Sequence, residues 1–348
     1  MKALDKEILR LAIPSILANI TVPLVGMVDI AVAGHIHGSE LYGAAEYIGG
    51  ISVGALLLNV IYWCFAFLRA STGGLTAQAF GRKDRQECVS VLGQSFMLAL
   101  ASAALLLVMQ WPLSRLGLLF SRNTPAVAEL ALRYFFIRIW AAPATLGLMS
   151  LKGWFIGMQD TMSSMATDLL VNAVNIFASI ALTLGIGGWE GLGFDGIALG
   201  TVIAQYSGLL LAICICIFKY HISPAGMVRS RKDSLLKRLL SLNSDLFIRS
   251  LCFTGIYLGF TIIASKYGAT LLACANIMMN LLMLFSYFTD GFAYAGEALT
   301  GRFIGARDRD MTRRTVRQVF VWSMGVAGIW MLIYQAAGLP LLRLMTDD

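Results

Sequence analysis

Asp29 is the first residue in this 348-residue chain whose placement asks for chemistry. It stands inside the apolar run 8–33. A carboxylate there costs about 2.5–3.5 kcal/mol to insert and is normally retained for an ion pathway or proton relay. Pro14 and Pro23 precede it. Pro23 has no N–H for the carbonyl of Asn19, so a kink is expected that leaves polar backbone facing a cavity. A second reading stays open, because Asp29 is four residues from the outer end of the run, about 6 Å at 1.5 Å per residue, within reach of interfacial water.

Further along, Asn172, Asn175, Ser179 and Thr183 are spaced three, four and four apart, which puts them on one helix face. Thr201 and Gln205, four apart, share a face of the next helix. Such residues either line an ion path or hydrogen-bond neighbouring helices together. Asp290 and Glu297, seven apart, share a face near the inner half of a late helix, as a polar interface or inner gate, or as solvated residues at a helix end. Arg69 is expected to snorkel to the inner interface rather than pair with a carboxylate. His35 and His37, beside Glu40 and Glu46, are two apart; that spacing does not converge on a helix, so they are expected to be loop residues without a metal. No His-Glu-x-x-His, Gly-x-Ser-x-Gly or Walker loop is present, and no nucleophile–base pair suggests an intramembrane enzyme.

The elements that must position these groups follow from composition. The chain is 58% hydrophobic and 14% charged, with a mean hydropathy of +0.73. Soluble domains run near 45–50% apolar and about 25% charged. The apolar residues arrive in blocks of roughly twenty, the length a bilayer requires. The expected fold is therefore all-α, a polytopic helical membrane protein. Nine spans are predicted at 8–33, 48–80, 89–110, 130–156, 166–186, 194–218, 246–265, 269–300 and 318–338. The six cysteines, mostly inside these runs, read as small apolar residues. The run 187–196, GGWEGLGFDG, reads as a flexible outer turn.

Orientation comes from the 27 Lys and Arg residues. With the N-terminus inside, 18 fall in the inner segments 1–10, 80–88, 219–238 and 302–317, and five outside, at Arg115, Arg122, Arg133, Lys266 and Arg343. Such a bias marks cytoplasmic loops. The inner segment 157–168 breaks the pattern, with no base and two aspartates. The chain also repeats itself: LTAQAFGRKDR at 75–85 aligns with LTGRFIGARDR at 299–309, and PLSRL at 112–116 with PLLRL at 340–344. Parallel repeats with a site between or within the halves are a transporter signature.

These segments resemble one family. The opening LAIPSILANITVPLVGMVDIAVAGHI at 11–36 is similar to the first helix of multidrug and toxic compound extrusion (MATE) transporters, and more narrowly of their DinF-like bacterial branch. GWFIGMQDT at 153–161, GIALGTVIAQY at 196–206 and YFTDGFAYAGEALTGRFIGARDR at 287–309 resemble that branch's other signatures. The resemblance implies two pseudo-symmetric six-helix lobes around a central cavity. Here it implies a first lobe at 1–220, a basic cytoplasmic linker at 221–240 and an incomplete, three-helix second lobe at 241–348, truncated after the ninth helix. It makes Asp29 a cation-coupling residue and matches Asn175 and Thr201 to the family's cation site. Ser179 falls where many members carry a second aspartate, which disfavours sodium and favours proton coupling through Asp29.

The implied function is secondary antiport, with no cofactor. Protons, or alternatively sodium, would drive export of small organic cations or other xenobiotics across a bacterial inner membrane, with the N-terminus cytoplasmic and no nucleic-acid partner. A lipid-linked saccharide flippase and a non-transporting truncated remnant are the alternatives. The flippase would want a basic cavity, which the first-lobe helices do not offer.

Overall fold

The computed structural model describes residues 2–36, 42–119, 124–185, 187–223, 233–266 and 269–345. His37, Glu40, Arg122 and linker residues 224–232 lie outside them. Among the described residues the fold is helical, with no strand. The helices are α1 (Lys2–Gly34), α2 (Ala44–Cys64), α3 (Phe67–Gly81), α4 (Arg85–Val108), α5 (Gln110–Leu119) and α6 (Pro125–Arg138). They continue with α7 (Ala142–Gly157), α8 (Thr161–Leu184), α9 (Phe194–Phe218), α10 (Asp233–Lys266), α11 (Ala269–Gly305) and α12 (Arg309–Met345). Seven helical stretches among the described residues are long and apolar enough to cross a membrane, and the predicted seventh and eighth spans fall in α10 and α11.

Two predicted spans are each made of two helices. The second breaks at Phe65 and Ala66, and the fourth passes through a 3-10 turn at Ile139–Ala141 before Pro143 opens α7. α1 runs without interruption through Pro14 and Pro23. α10 begins at Asp233, inside the segment expected to be linker. The helix faces turned outward carry large apolar groups such as Met27, Phe177 and Leu210, each about two-thirds exposed, as lipid contact requires. Inside the first lobe, the indole of the fully buried Trp154 donates to the Cys88 carbonyl at 2.9 Å, pinning α7 to α4.

One turn recurs three times. Lys83, Gln159 and Arg307 take positive φ of 59°, 63° and 60°, and each is followed by an aspartate that caps the next helix. Asp84, Asp160 and Asp308 accept from the N–H groups of Glu87, Ser163 and Met311 at 2.9, 3.2 and 2.9 Å. The spacing Gly-x-x-Asp therefore marks three helix hairpins, of which the sequence repeat displayed two.

The two copies of the repeat also pack on each other. A Cβ on Gly81 would lie 1.9 Å from the Arg302 carbonyl oxygen, and one on Gly305 would lie 2.1 Å from that of Gln78. Gln78 and Arg302 are equivalent positions of the repeat, as are Gly81 and Gly305. The contact is thus reciprocal, position i of one half on position j of the other and the reverse. It brings α3 and α11 into backbone contact, and only residues without side chains permit that. α11 packs on α1 as well, through a core that includes Ile8, Ala12, Phe292 and Ala295.

Candidate functional site

The first lobe gathers a buried polar cluster from five helices. Asp29 of α1 is 7% exposed, and its Oδ1 accepts from the Ser179 hydroxyl of α8 at 3.1 Å. One turn earlier on α8, Asn175 donates through Nδ2 to Thr201 Oγ1 of α9 at 2.9 Å, and Thr201 in turn donates to the Ile197 carbonyl. The helices can approach this closely because a Cβ on Gly200 would meet the Ser179 backbone nitrogen at 2.7 Å. From α6, Arg138 donates to the Tyr134 hydroxyl at 2.8 Å and lies in the electrostatic field of Asp29 and of Tyr62 on α2. Oδ1 of Asn175 and the hydroxyl of Thr183 are buried with no hydrogen-bond partner, so acceptor capacity remains inside the cluster.

The expected face of α8 is therefore split. Asn175 and Ser179 join Asp29 and Thr201, whereas Asn172 donates to Thr21, about two turns before Asp29 on α1. Gln205 is half-buried and makes no hydrogen bond to the cluster. Tyr134 and Arg138 were not among the predicted site residues. The available signal was an Arg four residues after a Tyr within a membrane span.

A second polar group sits between the halves. Arg69 of α3 is 3.6 Å from Glu297 of α11, its guanidinium lies 4.0 Å from the centre of the Tyr294 ring, and Asp290 shares its field. The snorkelling expected of Arg69 is thereby corrected: α11 brings a carboxylate within reach, which no pattern local to α3 could reveal. Nearby, Lys152 of α7 pairs with Asp168 of α8. Asp160 pairs with Lys219 at 2.6 Å. The two aspartates that break the expected charge pattern are each paired with a lysine, Lys152 of α7 and Lys219 at the end of α9.

Arg69 and Asp290 also line a cavity of about 700 Å³ between α2–α3 and α10–α11. Its wall is mostly apolar, with Phe67, Phe253, Phe260 and Met283, and it includes Arg249. Asn19 of α1 donates to the Tyr287 carbonyl at 3.4 Å beside this wall, so one helix carries Asp29 and borders the inter-lobe space.

Apolar spans, a two-part pseudo-symmetric bundle, a buried carboxylate and a drug-sized cavity between the halves define a multi-pass membrane protein of transporter architecture. The MatE family profile matches residues 14–181 and 246–348, and the chain belongs to that family. DNA damage-inducible protein F of Escherichia coli is 35% identical over 345 residues, covering 99% of this chain and 73% of its own. A probable multidrug resistance protein NorM of Thermotoga maritima is 24% identical over 351 residues, covering 99% and 72%. Among solved structures, a MOP superfamily transporter from Pyrococcus furiosus superposes with a TM-score of 0.87 at 17% identity, covering 99% of this chain and 75% of that one. A MATE structure in a bent conformation gives 0.83 at 18% identity, covering 98% and 74%. The DinF-like, MATE-type reading of the motifs is borne out.

Proposed function

We propose that this protein is a secondary active exporter of organic compounds, driven by inward movement of protons through Asp29 in the bacterial inner membrane, with the N-terminus cytoplasmic. The observation that carries the reading is the buried Asp29–Ser179 contact within a cluster that holds a single carboxylate. A sodium ion prefers several oxygens including carboxylates. Ser179 supplies a hydroxyl in place of a second charge, and Arg138 already stands in Asp29's field.

The coupling step needs little machinery. A proton arriving from outside neutralises Asp29, which weakens its hold on Ser179 and its attraction to Arg138. α1 is then free to reposition against α8, and because it also packs on α11, the change reaches the inter-lobe cavity. Each inward charge brings about 2.3 kcal/mol per 100 mV, enough to drive uphill export. The cationic substrate expected from sequence rests on Asp29 acting as an open carboxylate. The neighbouring Arg138 gives that preference less support than it gives proton carriage.

The test is retention of a fluorescent organic dye in energised cells, comparing wild type with Asp29→Asn at matched membrane abundance. Wild-type cells should retain less dye, and the variant should lose the difference. Export by Asp29→Asn equal to wild type would sink the proposal.

A further inference from the structure

The buried charges of the bundle stand beside charges of opposite sign, whereas one arginine of the cavity wall does not. Asp29 has Arg138 in its field, Asp168 has Lys152, and Glu297 and Asp290 share Arg69. Arg249 of α10 has no carboxylate within ion-pair distance among the described residues, although Asp245 stands one turn before it. Its guanidinium lies 5.6 Å from the centre of the Phe253 ring and borders the 700 Å³ cavity. Arg249 is an exposed residue of the cavity wall, so its guanidinium is open to a ligand. Its planar fork matches a carboxylate or phosphate oxygen pair. The aromatic and methionine wall around it suits a flexible apolar body. A cationic head seated on Arg249 would meet a like charge, because Asp290, the carboxylate of that wall, has Arg69 and not Arg249 in its field.

We infer that the inter-lobe cavity selects amphiphiles with an anionic head, seated on Arg249, with the apolar body against Phe67, Phe253, Phe260 and Met283. The inference deepens the exporter reading and rests on it. It reverses the charge preference that Asp29 alone suggests. The shared chemistry is an oxyanion head on a hydrocarbon body, whether a bilayer lipid or a soluble compound.

The experiment is equilibrium binding to the full chain in phosphatidylcholine nanodiscs, read by energy transfer from tryptophan to a dansyl group. Three twelve-carbon dansyl probes differ only in the head: carboxylate, primary amide and trimethylammonium. Wild type should bind the carboxylate at least tenfold tighter than the ammonium. Arg249→Gln should lose about tenfold on the carboxylate while binding the amide unchanged, and Arg249→Lys should recover most of the loss. Displacement by added phosphatidylglycerol would identify a lipid head as the occupant, and lack of displacement a soluble amphiphile; both uphold the anion site. The inference is overturned if the ammonium binds as tightly as the carboxylate, if Arg249→Gln binds the carboxylate like wild type, or if no probe binds saturably. Should Arg249→Gln lose the amide as well, its fold is disturbed and the wild-type head preference decides alone. No gradient is applied, so failure of Asp29 to couple export would leave this result untouched.

Discussion

Ser179 holds Asp29 through a single hydroxyl donated at 3.1 Å across the α1–α8 contact. The hydroxyl stabilises the carboxylate without adding charge, so the cluster can offer one proton site and no second anion. Ser179→Asp should change the coupling ion. With two carboxylates beside Asn175 and Thr201, dye export should become stimulated by external sodium, where wild type is indifferent to it. Transport assays in sodium-free and sodium-containing buffer at fixed pH would check this, and indifference in both proteins would count against the one-carboxylate mechanism.

Arg69 and Glu297 form a pair whose members are each about one-quarter exposed. Removing one partner strands the other. Glu297→Leu is expected to lower stability by roughly 3 kcal/mol, whereas Arg69→Met with Glu297→Leu should recover most of it. Thermal unfolding in detergent of both singles and the double reads the coupling directly. Additive losses would show that the pair contributes nothing jointly.

Gly81 and Gly305 occupy reciprocal positions, so their substitutions should behave alike. Gly81→Leu and Gly305→Leu each force α3 and α11 apart. Both should destabilise the chain to a similar extent and reduce export, while Gly325→Leu, on open surface of α12, should do neither. Melting temperatures and membrane abundance of the three variants provide the comparison.

Asp160 lies outside the spans, in the turn before α8. Burial alone would raise its carboxyl, but hydrogen bonds from Lys219, Ser163 and Tyr220 outweigh burial and hold the group below its ordinary value of 3.8. A depressed folded value means stabilisation fully present above the unfolded value and lost as pH falls through the folded one. Stability from this group should be flat between pH 7 and 5 and decline only below about pH 4. Asp160→Ala should cost about 1–2 kcal/mol at neutral pH, and the gap to wild type should narrow in acid. A gap independent of pH would contradict the charge-based account.

Much of the fold was legible because membrane helices announce themselves by length and apolar composition. The residues Asp29, Asn175, Ser179 and Thr201 were legible because polar groups are conspicuous in such runs. What remained hidden depended on which helix meets which. Asn172 and Asn175 differ by about 60° around α8, and that rotation sends one to Thr21 and the other to Thr201. Tyr134 and Arg138 enter the site only because α6 packs beside α2 and α9. The partner of Arg69 comes from the other half of the chain, and no local periodicity names it. The break at Phe65 and Ala66 was equally invisible, since it falls within an unbroken apolar run without proline.

The reciprocal crossing of α3 and α11 is the geometry of a two-fold dimer drawn into one polypeptide. Its backbone contacts obey the symmetry, but its side chains have diverged. Arg302 reaches Gln159 at 2.8 Å and Glu7 at 2.6 Å, linking the second half to α1 and to the α7–α8 turn, while its counterpart is the uncharged Gln78. The seam therefore carries a charge on one side and an uncharged amide at the equivalent position. Glycine contacts hold the two halves symmetrically, while the ion pair to Glu7 adds a tie that depends on charge and that backbone symmetry alone would not supply.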